Sequence, residues 1–126
     1  MNDNEHHENL VSGLYGQLRN IFDSSKQGVY LYLDDTHKIC NKNFADLLGY
    51  KSAKEWADTD APLADIIEKD QSKVVKAYEN AMKKMIASDM EAGVRNVKTG
   101  KLTKVKIILV PITYKGHLFA LYFVSS

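Results

Sequence analysis

A short helix with both of its ends written into it, Asn41 to Tyr50, constrains this chain more than any other stretch. Asn41 is a helix-capping residue type, Phe44, Leu47 and Leu48 fall on one face, and Gly49 can adopt the left-handed conformation that ends a helix. So short a helix is not stable alone and has to be held against other structure. The β-rich segments before it, Gly28 to Cys40, and after it, Met90 to Val124, supply the sheet that can hold it.

The rest of the chain is consistent with one domain. Its 126 residues suffice for a single core. Lysine and arginine number 17 against 16 acids, a balance that gives no electrostatic reason to expect nucleic acid or an anionic membrane as partner. The longest apolar run, Ile107 to Ile112, is far shorter than the ~20 residues of a membrane span. Met1 to Asn9 lacks the apolar centre of a signal peptide, so a soluble cytoplasmic protein is expected. The one cysteine, Cys40, leaves no internal disulfide and fits a reducing compartment.

In chain order, Met1 to Glu8 reads as a frayed polar tail. His6 and His7 are adjacent rather than four apart, and no metal is expected there. From Asn9 to Asp23, Leu10, Val11, Leu14, Leu18, Ile21 and Phe22 recur at helical spacing, with Gly13 and Gly16 lowering the helix's own stability. Gly28 to Asp34 alternates Val29, Leu31 and Leu33 with Tyr30 and Tyr32, which predicts a strand. Asp34 to His37 is turn chemistry, and Lys38 to Cys40 makes a second strand.

After Tyr50, Ser52 and Glu55 form a capping box for a short helix bearing Trp56, and Pro62 opens a further helical turn with Leu63, Ile66 and Ile67. Gln71 to Ser88 predicts the longest helix, capped by Asp70, with Val74, Val75, Tyr78, Met82, Met85 and Ile86 on one stripe. Three strands follow: Met90 to Val97, Leu102 to Thr113 interrupted late by Pro111, and Leu118 to Val124.

The run Asn41-x-x-Phe44-x-x-Leu47-x-Gly49-Tyr50, followed by Ser52-x-x-Glu55-Trp56, resembles the PAS domain family of sensory and interaction modules. Ile66 to Asp70 is similar to the family's Ile-His-Pro-x-Asp segment without its His and Pro, and Val110-Pro111-Ile112 resembles its penultimate strand. The hairpin at Asp34 to His37 departs from the family, which commonly has a glycine there. The resemblance implies an α+β PAS fold: a five-stranded antiparallel sheet in the order 2-1-5-4-3, with short helices and one longer helix on one face. The expected division is tail and amphipathic helix over 1–24 and PAS domain over 25–126.

Catalysis has no positive signal, since no nucleophile elbow, phosphate-cradling loop or His-Glu-x-x-His occurs. The chain therefore reads as a non-enzyme. Cys40 beside Ile39 reads as a buried small hydrophobe, and a redox role would need a thiol acidified by His37 or Lys38. The family's flavin-binding cysteine run is absent, and residues 71 to 88 contain no haem-type histidine. No resident cofactor is expected, and an unknown small molecule remains open. His37 and His117, at turns, are expected to be exposed.

The expected function is binding of a small apolar or amphipathic ligand, a partner protein, or both, by a sensor module. The alternative is a ligand-free dimerisation or docking module for a separate regulator. Val29, Leu31, Leu33, Ile107, Leu109, Leu121 and Phe123 are assigned to the inner sheet face, opposite Phe44, Leu48, Trp56, Ile67, Tyr78 and Met82. Thr103, Tyr78 and Trp56 are the residues placed to orient a ligand. Tyr30, Tyr32, Ile108, Val110, Ile112 and Tyr122 are assigned to the outer face, with Leu118, Ala120 and Val124. Because both faces read as apolar, a homodimer is expected, pairing that outer face with the stripe Leu10, Leu14, Leu18 and Ile21.

Overall fold

The computed structural model describes residues 3–126. Its elements, in order, are α1 (Asp3–Ser24), β1 (Gly28–Asp34), β2 (His37–Cys40), α2 (Lys42–Leu48), α3 (Ala53–Ala57), a 3₁₀ turn (Pro62–Asp65), α4 (Glu68–Lys84), β3 (Ser88–Arg95), β4 (Leu102–Tyr114) and β5 (His117–Ser125). The five strands form one antiparallel sheet ordered β2-β1-β5-β4-β3, as the resemblance implied. No helix among the described residues is long and apolar enough to cross a membrane.

The organising helix α2 ends where its residues said it would. The Asn41 side chain accepts from the Phe44 N–H at 3.0 Å, and Gly49 closes the helix at φ 84°. A Cβ on Gly49 would also run into the Asn96 side chain, so strain and space both require glycine here. Ser52 caps α3 through the Glu55 N–H, whereas the Glu55 carboxylate reaches the Lys51 N–H instead of closing a capping box.

Several boundaries differ from expectation. α1 begins at Asp3 rather than Asn9, so the polar start is helical and α1, with 22 residues against 17 in α4, is longer than the helix expected to be longest; for Met1 and Asn2 the expectation lies outside the described residues. α4 begins at Glu68 behind Ile67, so Asp70 is not its cap. The Asp70 carboxylate is turned to the Gly93 N–H, 2.8 Å away, and ties the helix start to β3. Met85 terminates α4 in a left-handed conformation, which leaves Met85 and Ile86 exposed rather than on the buried stripe. Pro111 does not interrupt β4. Pairing with β3 stops at Leu109, so β4 is an edge beyond that point, and a residue without an N–H is tolerated there.

The largest correction is one of parity. Residues directly opposite in an antiparallel pair share a face. Leu109 lies opposite Tyr122, Tyr122 opposite Tyr30, and Tyr30 opposite Cys40, so this row is inner together with Ile107. One position along, Val110, Leu121, Leu31 and Ile39 form the outer row. Val29, Leu31, Leu33, Leu121 and Phe123, expected inside, therefore pack on the α1 side. Tyr30, Tyr32, Tyr122, Ala120 and Val124, expected outside, belong to the helix-cluster core. Both rows are apolar, so alternation within β1 or β5 cannot choose between them, and a one-residue slip reverses every side chain.

α1 lies on the outer row. Leu10, Val11, Leu14 and Phe22 form one buried cluster with Val29, Leu31, Phe119 and Leu121. Leu10 and Leu14 are thus spent within the chain and do not form a dimer surface, while Leu18 is half-buried and Ile21 exposed. The outer face is also less apolar than expected, because Lys104 and Lys106 stand on it and Lys104 pairs with Glu91 at 2.8 Å. Ile112 packs under α1, Val110 is half-buried, and Ile108 is exposed.

Candidate functional site

Between the inner sheet face and the helices lies a cavity of about 310 Å³. Its floor is Tyr30, Tyr32, Tyr122, Val124, Ile107 and Val94, and its roof is built from Phe44, Leu48, Trp56, Leu63, Ile66, Val74 and Tyr78. Asp35, Pro62, Asp65 and Val75 complete the wall. The floor exists because β1, β4 and β5 run side by side; the roof exists because α2 and α3 follow β2 directly and α4 returns across the sheet.

Aromatic rings make one side of this space. Tyr30 stacks on Tyr122 at 4.1 Å, tilts against Phe44 at 4.6 Å and against Trp56 at 5.1 Å, and Tyr32 meets Tyr78 edge-on at 5.4 Å. The tilted and edge-on contacts, at 4.6 to 5.4 Å, are favourable for ring quadrupoles. Burial raises the phenol pKa of Tyr30, Tyr78 and Tyr122, so all three are neutral hydroxyls able to donate or accept.

Three polar side chains stand in the wall, and a fourth, Lys38, lies behind it against Trp56. The Trp56 indole N–H is buried and donates to nothing among the described residues. Asp65 is buried and accepts from the Tyr50 hydroxyl at 2.7 Å. Burial raises its carboxyl pKa, and that single hydrogen bond only partly opposes the rise. Asp35, at the exposed hairpin, accepts from the Tyr32 hydroxyl. Lys38 is buried beside the Trp56 ring, 5.2 Å from its centroid, and donates to the carbonyls of Asp35, Ala57 and Thr59. With its donors taken up by carbonyl oxygens, Lys38 fastens the β1–β2 turn to the end of α3 and closes the wall behind Trp56.

Of the residues assigned to a pocket from sequence, Phe44, Leu48, Trp56, Tyr78 and Ile107 reach the cavity. Leu109 and Met82 belong to the same core without lining it. Ile67 and Thr103 do not reach it; they border a separate polar hollow with Asp70, Lys73 and Glu91 at the β3–β4 edge. Ile66, which pairs with Val94, stands in the wall where Ile67 was expected. Leu31, Leu33, Leu121 and Phe123 lie across the sheet, for the parity reason above. Sequence reasoning missed Asp65 and Lys38, for which it holds no local signal. It missed the tyrosine floor although three tyrosines on two adjacent strands were visible.

Cys40 is buried, and burial pushes its thiol up to about 12, which agrees with a small hydrophobe and removes the acidified thiol a redox role requires. His37 is buried rather than exposed, and it belongs to a cluster on the α1 side of the sheet.

No family model matches the sequence, and no curated protein matches it either. Solved structures do. The PAS domain of a protein from Colwellia psychrerythraea superposes with a TM-score of 0.72 at 16% identity, covering 90% of this chain and 96% of that one. The PAS domain of an HTR-like protein from Haloarcula marismortui gives 0.67 at 16% identity, covering 96% and 98%. The PAS domain of the fruit-fly ELK potassium channel gives 0.67 at 16% identity, covering 88% and 94%. With the strand order, the helix cluster and the cavity in their places, the chain has the PAS fold.

Proposed function

We propose that this chain is a sensory signalling module whose cavity binds a small molecule with a flat apolar body. The observation that carries this reading is the unpartnered Trp56 N–H in the cavity wall. A buried donor without a partner costs about 1–3 kcal/mol, and a ligand acceptor would recover that cost. The cavity volume, about 310 Å³, is at the small end of the range for ligand pockets. The stacked tyrosines suit a planar ring, and the Asp65 carboxyl suits a donor at the far end. Domains of the same fold sit in a two-component sensor histidine kinase and in a potassium channel, which supports a signalling role. The polar groups of the wall serve to orient and hold rather than to catalyse. Cytoplasmic placement suits the reduced, buried Cys40.

Native mass spectrometry of gently purified protein tests the reading. The expected spectrum carries a small-molecule adduct that Trp56→Phe loses while remaining folded. A bare polypeptide mass, together with Trp56 fluorescence unmoved by a panel of planar heteroaromatic compounds, refutes it.

A second reading has its own support in the exposed Ile21 and Ile108 on the outer side. They suit a homodimer contact or docking to a separate signalling protein. Light scattering at micromolar concentration separates these, since a dimer mass that Ile108→Lys reduces to a monomer assigns the surface to a second copy.

A further inference from the structure

All four histidines of the chain converge on one spot, away from the cavity. His6 and His7 come from the first turns of α1, His37 from the start of β2 and His117 from the start of β5. Ring centroids are 5.2 Å apart for His7 and His37, 5.1 Å for His6 and His117, and 6.1 Å for His7 and His117. Asp34, at the end of β1, lies among them: its carboxylate is 2.6 Å from His37 Nδ1 and 3.3 Å from His7 Nδ1. One donor atom each from His7, Asp34 and His37 falls within 4.8 Å of the others.

The hydrogen bonding of this cluster does not close on itself. Both ring nitrogens of His37 face oxygen acceptors, Asp34 Oδ1 at 2.6 Å and Asn4 Oδ1 at 2.7 Å. A neutral imidazole carries one N–H and can satisfy only one of them. The Asn4 amide nitrogen is already turned to Glu8, which fixes its oxygen toward His37. Nearby, His6 Nε2 and His117 Nε2 meet at 3.2 Å.

The spacing of His7 and Asp34 is that of two ligands around a small cation. Zinc–nitrogen and zinc–oxygen bonds of about 2.0–2.2 Å at tetrahedral angles hold neighbouring donors roughly 3.3 Å apart. The His7–Asp34 separation is 3.3 Å, whereas Asp34 Oδ1 and His37 Nδ1, 2.6 Å apart, are hydrogen-bonded and move apart when both turn to an ion. Asp3 and Glu5 in the first turn of α1 offset the positive end of the helix dipole, which would otherwise repel a cation.

We propose that His7, Asp34 and His37 bind a divalent transition ion of the zinc type, with His117 beside them as the next donor and His6 paired to it. Imidazole and carboxylate donors in this number suit Zn²⁺ rather than Ca²⁺ or Mg²⁺, which take oxygen cages. The ion joins α1 to the β1–β2 hairpin and the β4–β5 turn, so its binding fastens the start of the helix to the sheet.

The test uses the full chain, stripped with a chelator and titrated with ZnCl2 by calorimetry, with Co²⁺ absorption as a second probe. The expected result is one ion per chain with a dissociation constant below about 10 µM. His7→Gln and Asp34→Asn should each weaken it at least tenfold, and hydrogen exchange in the first turns of α1 should slow when Zn²⁺ is added. His7 is partly exposed, so His7→Gln will fold, and its circular dichroism should match the parent. Zinc bound with undiminished affinity by a folded His7→Gln variant would place the ion elsewhere and overturn the proposal, as would the absence of binding at millimolar Zn²⁺.

Discussion

Asn41 offers the most demanding test of the fold. Its Oδ1 accepts from the N–H groups of Val29 and Phe44, each at 3.0 Å, and its amide donates to the carbonyls of Gln27 at 3.0 Å and Phe22 at 3.3 Å. One side chain therefore joins the end of α1, the start of β1 and the first turn of α2. Asn41→Ala strips all four partners. The Val29 and Phe44 groups are buried, and a buried backbone group left unpaired costs about 1–3 kcal/mol. Water can replace the bond to half-buried Gln27. Taking the lower part of that range for Val29, Phe44 and Phe22 gives a loss of about 4 kcal/mol. That is a large share of the 5–15 kcal/mol typical of a domain, and near 4 °C per kcal/mol it lowers the melting temperature by about 15 °C.

The assay is urea unfolding followed by Trp56 fluorescence, with the midpoint falling at an unchanged slope. Asn41→Ser isolates the reasoning. Serine caps a helix about as well as asparagine, so if capping were the whole role the variant would recover nearly all the stability. Serine cannot span to Val29, Phe22 and Gln27 together, and a loss of at least 2 kcal/mol is expected to remain. A serine variant within about 0.5 kcal/mol of the parent refutes the three-way junction.

Gly49→Ala forces a Cβ into the Asn96 side chain at positive φ and should cost about 1–2 kcal/mol, read as a lower melting temperature; an unchanged melt would place the helix end elsewhere. Leu14→Glu puts a charge beneath α1 against Phe119 and Leu31 and should cost at least about 3 kcal/mol, with faster hydrogen exchange throughout α1 and little change in β3. Asp65 has a raised pKa, so its favourable contribution is complete below the unfolded value of 3.8 and is lost as pH rises through the folded one. Asp65→Asn keeps an acceptor for Tyr50 and removes the buried charge, so it should melt above the parent at pH 7, the difference closing below pH 3.8. A difference that grows on acidification would contradict the burial argument.

What the sequence disclosed was what local chemistry decides. The Asn41 cap, the Gly49 stop, the Ser52 cap and the five strands are each encoded within a few neighbouring residues, and each is present. The residues placed wrongly depend on partners distant in the chain. β1 and β5 are apolar on both faces, so their inward row is fixed only by the register Leu109–Tyr122–Tyr30. The sequence does hold an indirect signal, since the Val29 row is aliphatic and suits a helix laid close, whereas the Tyr30 row is aromatic and suits Phe44 and Trp56. The neighbours of His6 and His7 come from β1, β2 and β5, so spacing along one helix holds no signal of the cluster they join.

The parity of β1 also determines how the two sides of the sheet are related. Tyr30 and Tyr32 wall the cavity, and Val29 and Leu31, each one residue away, carry α1. Strand backbone is stiff between neighbours, so an occupant that displaces Tyr30 acts on the strand that α1 rests on, without any intermediate element. β3 has no such double role, because its outer row carries Glu91 and faces the charged Lys104 and Lys106 of β4. α1 is also the element most dependent on its support. Gly13 and Gly16 weaken it as an isolated helix, and Gly13 lets the Tyr114 side chain come close against it. Its docking is fixed by Leu10, Val11, Leu14 and Phe22 along the sheet and by the histidine cluster at its start. A helix of low intrinsic stability, seated on the strand that floors the cavity, is the element of this fold that depends most on its docking.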